Sequence, residues 1–166
     1  IALEQSIKQL LNKYGIKPQK RLGQNFLIDD SVLQKIIDAA ELSKNDIILE
    51  IGPGLGILTM ELAKKAKKVI AIEKDKNLTR ILNEELRIKK IKNVKVIGGD
   101  ILKIHDSLFS ILDSYKLVAN LPYYIASPVI RKFLEIKNPP KLMVLMIQKE
   151  VAQRICAKPP QMSILA

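Results

Sequence analysis

Apolar runs of strand length alternate with helical patterns along most of this 166-residue chain. The runs are apolar at nearly every position, as is typical of parallel strands that helices cover on both faces. The pattern therefore predicts a doubly wound, mostly parallel α/β domain. Strands are predicted at 47–51, 69–72, 94–97, 117–119 and 142–147, and helices near 56–66, 77–90, 105–113, 125–135 and from 149 onward.

A helical extension is predicted before this alternation. Residues 1–14 have apolar side chains at helical spacing, and Gly15 ends that pattern. Asp30 or Ser31 is predicted to cap a second helix of about ten residues. The basic stretch between the two helices is interrupted by proline and glycine, so no regular element is predicted there.

The chain is long enough for one domain with a real core, which we expect to cover residues 1–166, with the N-terminal helix and arm at 1–30. A single cysteine excludes an internal disulfide, and no apolar stretch reaches the roughly 18 residues of a membrane helix. A cytoplasmic monomer without a metal site is expected. The chain starts at Ile1 rather than Met and ends on an apolar stretch, so a fragment of a longer protein is expected.

The net charge is strongly positive, +11, from 28 Lys and Arg against 17 Asp and Glu. Such a charge attracts polyanions, and nucleic acid is the commonest of them. A lysine-rich surface that only keeps the protein soluble is the alternative.

A glycine-rich turn, EIGPGLG at 50–56, follows the first predicted strand. Open α/β sheets bind ligands beyond the carboxyl ends of their strands, where glycines allow close approach. The spacing G-x-G-x-G departs from the G-x-G-x-x-G of dinucleotide sites. It favours a nucleoside without a pyrophosphate, above all S-adenosylmethionine, although tight packing or another nucleotide would also use such a turn.

Acidic residues end the next two predicted strands. Glu73 follows the glycine turn by about 20 residues, where one carboxylate can accept both ribose hydroxyls. Asp100 can accept from an adenine amino group while Ile101 packs on the ring. Helix capping or the polarity of strand ends would also explain these acids.

The fourth predicted strand ends in Asn120-Leu121-Pro122-Tyr123, a sequence suited to methyl transfer onto a base amino group. The Asn120 side-chain oxygen and the backbone carbonyl near Leu121 can accept the two amino hydrogens and aim the nitrogen lone pair. Pro122 would fix the turn, and Tyr123 would stack on the base. A proline-terminated strand with tyrosines filling a crevice is the structural alternative.

Six segments resemble the small-subunit rRNA adenine dimethyltransferase family and occur in its order. They are GQNFLID (23–29), LEIGPGLGILT (49–59), IEKD (72–75), GGDIL (98–102), NLPYYIASP (120–128) and MIQKEVAQR (146–154). The resemblance implies a Rossmann-like class I methyltransferase that uses S-adenosylmethionine to dimethylate N6 of two adjacent adenosines in the rRNA of the immature small subunit.

The resemblance also implies site residues, position by position. Asn120 would join the cofactor and substrate pockets, and the catalytic group would be Asn120 to Tyr123. The implied cofactor contacts are Gln24, Asn25, Leu27, Gly52, Gly54, Glu73, Lys74, Asp100, Ile101 and Asn120. The implied RNA contacts are Lys17, Lys20, Arg21 and Lys149.

The chain departs from the family after Lys158, where the family has a longer loop, final strands and a small helical domain. Three other functions stay open from the sequence. They are a large-subunit rRNA adenine methyltransferase of the macrolide-resistance type, a non-catalytic RNA-binding assembly factor, and a nicotinamide-dependent oxidoreductase, which the glycine spacing disfavours.

Overall fold

The computed structural model describes residues 3–16, 29–110 and 112–158. Its centre is one parallel five-stranded sheet in the order β3-β2-β1-β4-β5, so the prediction of a doubly wound parallel sheet is confirmed. The strands are β1 (Ile47–Ile51), β2 (Lys68–Glu73), β3 (Val94–Gly98), β4 (Lys116–Asn120) and β5 (Leu142–Met146). Strand order reverses between β1 and β4, which places a crevice beyond their carboxyl ends.

Seven helices are present in the described residues. They are α1 (Leu3–Tyr14), α2 (Asp30–Ala39), α3 (Ile57–Lys65), α4 (Lys76–Ile88), α5 (Ser107–Ser110), α6 (Ala126–Glu135) and α7 (Lys149–Ile155). None of the described helices is long and apolar enough to span a membrane. The helix predicted at 105–113 is only one turn long, and the other helix and strand ends lie within about two residues of their predicted positions.

Two hydrophobic cores lie on opposite faces of the sheet. Ile48 packs in the core that α1, α2 and α3 cover, whereas its neighbour Leu49 packs in the core that contains Phe109 of α5 and Phe133 of α6. Successive residues of a strand point to opposite faces, so a strand that is covered on both sides needs apolar residues throughout. This is the physical reason for the continuous apolar runs.

The start of the second helix differs from the prediction by one residue. Asp29, not Asp30 or Ser31, is the N-cap, and its carboxylate accepts hydrogen bonds from the backbone N–H of Ser31 and of Val32. Asp30 instead lies in the first helical turn, where its Oδ2 accepts a hydrogen bond from the backbone N–H of Leu3. That bond requires a contact between α1 and α2 that sequence spacing alone does not reveal.

The N-terminal helix is fastened to the domain by a buried carboxylate. Glu85 of α4 accepts hydrogen bonds from Lys13 Nζ at 2.6 Å and from the Tyr14 hydroxyl at 2.8 Å. Burial alone would raise the pKa of Glu85, but these two partners outweigh it and lower the pKa. Leu3 and Ile7 of the same helix are buried in the core, so α1 packs as part of the domain.

Candidate cofactor and substrate site

The carboxyl ends of β1, β2, β3 and β4 surround one cavity of about 330 Å³. This volume lies within the usual range for small-molecule sites. Of the residues predicted from the sequence, those that line the cavity are Gly52, Gly54, Glu73, Lys74, Asp100, Ile101, Asn120 and Pro122. The structure therefore brings together the ends of four separate strands, as the parallel topology requires.

The glycine turn has two structural roles. Gly52, Gly54 and Gly56 all have positive φ, a conformation that other residues rarely adopt. A Cβ at Gly52 would meet no atom within 4 Å, so this glycine leaves open space beside its backbone. A Cβ at Gly56 would collide with Leu82 Cδ1, so that glycine instead allows the start of α3 to lie close to Leu82 of α4.

Glu73 connects the glycine turn to the end of β2. Its side chain is buried, and its two oxygens accept hydrogen bonds from the backbone N–H of Gly54 at 3.0 Å and of Asp75 at 2.8 Å. Burial raises the pKa of Glu73, although these backbone donors oppose the shift. Each carboxylate oxygen has a further lone pair, so the group can still accept two hydroxyl donors from a ligand.

Asp100 and Lys74 form an ion pair at the wall of the cavity. Lys74 Nζ lies 3.0 Å from Asp100 Oδ2, and Asp100 Oδ1 accepts a hydrogen bond from the backbone N–H of Leu102. Burial would raise the pKa of Asp100, but Lys74 and the Leu102 N–H outweigh it and hold the pKa below its usual value. Asp100 is therefore ionised and held in position by Lys74, which itself also lines the cavity.

Glu50 lies at the cavity wall although it is absent from the predicted site residues. Its side chain is almost completely buried, and its Oε2 has no hydrogen-bond partner in the described residues. Burial raises the pKa of Glu50 to about 8, and the charge of Glu73 adds to the shift. The nearby Thr59 hydroxyl opposes this rise in the pKa of Glu50, although the two groups do not form a hydrogen bond of ordinary geometry. In the sequence, Glu50 is recognisable as an acidic residue within an apolar strand, just before the glycine turn.

The titration of Glu50 predicts a pH-dependent stability. Because the folded protein holds the proton to about pH 8 and an unfolded glutamate releases it near 4.5, stability is lost as pH rises through this interval. Glu50→Gln keeps a neutral side chain, so its free energy of unfolding should lack this loss. Urea denaturation at several pH values from about 4.5 to about 8 should show the wild type losing about 5 kcal/mol relative to Glu50→Gln. Parallel pH profiles for the two proteins would contradict the raised pKa.

A smaller hollow of about 120 Å³ adjoins the cavity at the end of β4. Asn120 and Pro122 line both spaces, so the amide stands between them. Leu121 lines only the hollow, and its N–H donates to the Met146 carbonyl of β5. The carbonyl of Pro122 accepts a hydrogen bond from the N–H of Ile125, which closes a tight turn. The predicted turn at Pro122 is therefore present.

The two tyrosines after this turn face different spaces. Tyr123 lines the hollow, whereas Tyr124 lines the larger cavity. Their rings meet edge to face, with centroids 5.7 Å apart, and both are about half exposed, at 53% and 46%. Tyr124 was missed among the predicted site residues, because the sequence does not reveal into which space each ring of an adjacent pair turns.

Several predicted contacts are not part of this geometry. Lys149, a predicted RNA contact, begins α7 and is exposed beside Gln148, which lines the hollow.

Within residues 3–16, 29–110 and 112–158, no group of three His, Cys, Asp or Glu residues could hold a metal ion. The predicted contacts that lie outside the described residues are Lys17, Lys20, Arg21, Gln24, Asn25 and Leu27.

Comparison with known sequences gives one consistent result. Residues 15–164 match the family model described as "Ribosomal RNA adenine dimethylase". The "Ribosomal RNA small subunit methyltransferase A" of Clostridium botulinum strain Okra is 53% identical over 153 residues, covering 92% of this chain and 55% of that protein. Its namesake in Bacillus licheniformis is 48% identical over 157 residues, covering 92% and 53%. The chain therefore spans about half the length of these relatives.

Solved structures give the same picture. A dimethyladenosine transferase from Plasmodium falciparum superposes with a TM-score of 0.72 at 36% identity, covering 82% of this chain and 49% of that one. The 23S rRNA methyltransferase ErmE superposes with a TM-score of 0.68 at 33% identity, covering 78% and 50%. The fold is that of the class I methyltransferases.

Proposed function

Because the chain belongs to the ribosomal RNA adenine dimethylase family, we propose that it methylates N6 of two adjacent adenosines in small-subunit rRNA, with S-adenosylmethionine as donor. One observation carries the proposal: a single amide, Asn120, lines both a nucleoside-sized cavity and an adjoining hollow. A transferase needs its donor and acceptor sites to meet at one point, and this side chain marks that point.

The cavity suits the donor by its chemistry. Glu73 offers two carboxylate oxygens to the ribose hydroxyls, and Asp100 offers an ionised acceptor to the adenine amino group. Gly52 leaves space for the methionine part, and the unpartnered Oε2 of Glu50 can accept from its ammonium group. S-adenosylmethionine, when bound, supplies an electrophilic methyl group on a positively charged sulfur.

The hollow suits the adenine that accepts the methyl group. An exocyclic amino nitrogen is a poor nucleophile because its lone pair is delocalised into the ring. Hydrogen bonds from its two N–H groups to the Asn120 oxygen and to the Leu121 carbonyl would localise that lone pair and aim it at the cavity. The turn at Pro122 holds both acceptors in place, so positioning and electrostatics supply the acceleration.

The substrate follows from the same proposal. The acceptor is the rRNA of the immature small ribosomal subunit. The protein acts on it as a monomer in the cytoplasm. The net charge of +11 supports a nucleic-acid partner. Lys17, Lys20 and Arg21 of the arm, together with Lys149, are the proposed contacts to RNA near the target adenosines.

Methylation of large-subunit rRNA is the second candidate, favoured by the similarity to ErmE at 33% identity. Offering purified small and large subunits that lack the modification, each with radiolabelled S-adenosylmethionine, separates the two. We expect label in small-subunit rRNA alone, on two adjacent adenosines. Label in the large subunit would reverse the choice of substrate, and binding of either RNA without transfer would indicate an assembly factor.

The two tyrosines provide a matched pair of variants. Tyr123→Ala removes the ring that lines the hollow, so catalytic efficiency on RNA should fall roughly 5- to 150-fold, because base stacking contributes about 1–3 kcal/mol. Its affinity for S-adenosylmethionine should stay within about twofold. Tyr124→Ala should show the opposite, with weaker cofactor binding. Calorimetry and transfer rates measure the two effects, and equal losses of cofactor affinity in both variants would contradict the division.

A further inference from the structure

The edge of the sheet opposite the proposed site carries a dense group of exposed lysines, here called the lysine surface. It lies at the amino ends of β1, β2 and β3, where α3 and α4 end. Its members are Lys44, Lys64, Lys65, Lys67, Lys68, Lys89, Lys90 and Lys92. We propose that the lysine surface binds the phosphate backbone of an RNA duplex, as a second contact remote from the target adenosines.

Backbone hydrogen bonds join the three loops of the lysine surface into one unit. The N–H of Lys67 donates to the Asp46 carbonyl, and the N–H of Val69 donates to the Asn93 carbonyl. The Asn93 side chain also donates to the carbonyls of Ala63 and Ala66 at the end of α3. The lysines are therefore held on a continuous and ordered surface rather than on separate flexible loops.

The positive charge of this surface is largely uncompensated. Glu61 pairs with Lys64, Asp46 pairs with Lys116, and the buried Glu85 is shared by Lys13 and Lys89. Among the described residues, no carboxylate lies within 4.0 Å of the remaining lysines of the surface, which are Lys44, Lys65, Lys67, Lys68, Lys90 and Lys92. Six of the eight lysines therefore have no neighbouring counter-charge in the part of the chain that the structure describes, whereas a surface that serves only solubility typically intersperses both signs of charge.

The opposite edge has the reverse composition. The ends of the strands at the proposed site carry three carboxylates, Glu73, Asp75 and Asp100, beside Lys74, so the protein is polarised from one edge of its sheet to the other. A strand of five residues is about 17 Å long, and a duplex on the lysine surface is therefore separate from a base in the hollow. Closely spaced exposed cations match the repeated phosphates of a nucleic-acid backbone. This inference rests on the proposed function for its choice of RNA over other polyanions.

Salt-dependent binding to a short RNA duplex tests the inference. Affinity falls as salt rises, and each lost phosphate contact reduces the magnitude of the slope of log affinity against log salt by about 0.9. The variant K65Q/K67Q/K68Q/K92Q removes four cations, so the magnitude of its slope, measured by fluorescence anisotropy between about 50 and 200 mM salt, should fall by about 3.6. The control variant K35Q/K137Q/K141Q/K158Q loses the same charge from exposed positions outside the lysine surface, on α2, between α6 and β5, and after α7, and its slope should change by less than about 1.

Calorimetric binding of S-adenosylmethionine to all three proteins distinguishes this inference from the proposed function. Equal cofactor affinities are expected, because the lysine surface lies away from the cavity. Equal slopes for the two variants, or no duplex binding by the wild type, would overturn the inference and leave the cofactor site intact. Binding to phosphatidylglycerol vesicles that the first variant loses, with unchanged duplex binding, would assign the surface to acidic lipid instead and would also overturn it.

Discussion

Replacing Asn120 by alanine should lower the rate of methyl transfer about 1,000-fold while S-adenosylmethionine affinity changes by less than about tenfold. The proposed role of the amide oxygen, to hold an amino hydrogen and aim the nitrogen lone pair, matters most in the transition state. A group of this kind is typically worth 100- to 1,000-fold in turnover when it is removed. The cavity is lined by many other residues, so cofactor binding depends less on Asn120.

Single-turnover transfer from radiolabelled S-adenosylmethionine to unmodified small-subunit rRNA measures this effect. Asn83→Ala is the matched control, because Asn83 is an exposed residue of α4 whose side chain donates to the Thr79 carbonyl of the same helix. Its rate should equal that of the wild type. A rate for Asn120→Ala within tenfold of the wild type would remove the amide from the chemistry and leave it a structural residue at a strand end.

Replacing Glu73 by alanine should weaken S-adenosylmethionine binding about 100-fold. Two hydrogen bonds from ribose hydroxyls to a charged acceptor contribute roughly 1.5 kcal/mol each, and together they correspond to a factor of about 100. The change also leaves the N–H groups of Gly54 and Asp75 without their carboxylate, so the glycine turn loses an anchor. Glu73→Gln keeps the shape and one good acceptor, so an intermediate loss of about tenfold is expected.

Calorimetry gives the affinities, and urea denaturation shows whether each variant remains folded at the temperature of the titration. Glu84→Ala serves as the control, because Glu84 pairs with the exposed Arg80 on α4. An exposed pair of this kind contributes little to stability. If Glu73→Ala were folded and bound the cofactor as tightly as the wild type, the ribose would have to bind elsewhere and the orientation proposed for the cofactor would be wrong.

The sequence predicted the sheet well because its strands are buried on both faces. Residues 69–72 are apolar throughout and residues 47–51 are apolar except for Glu50, a pattern typical of parallel strands that helices cover on both faces. The family resemblance is confirmed by the match over residues 15–164. Gly52, Glu73 and Asp100 were predicted to share one site because parallel topology carries strand ends to one edge, and they line one cavity. Their roles in binding remain predictions.

What the sequence could not predict are features set by contacts between distant segments. The ion pair of Lys74 with Asp100 depends on how closely two neighbouring loops approach each other. The position of Tyr124 at the cavity wall depends on the direction of the backbone after Pro122. Glu50 was not among the predicted site residues, although an acid directly before a glycine turn marked its position. Only the packing around it shows that it is buried.

The strand order also bears on the sequence of events as the polypeptide leaves the ribosome. Val69 of β2 pairs with Ile48 of β1 and with Val94 of β3, and both partners are fairly close to it along the chain. Ile48 pairs on its other side with Lys116 of β4, which is 68 residues later. Closing that long loop costs more entropy, so β1, β2 and β3 can associate first. The nascent chain would then form the donor-binding half early, and the transferring edge would be completed only when β4 inserts beside β1.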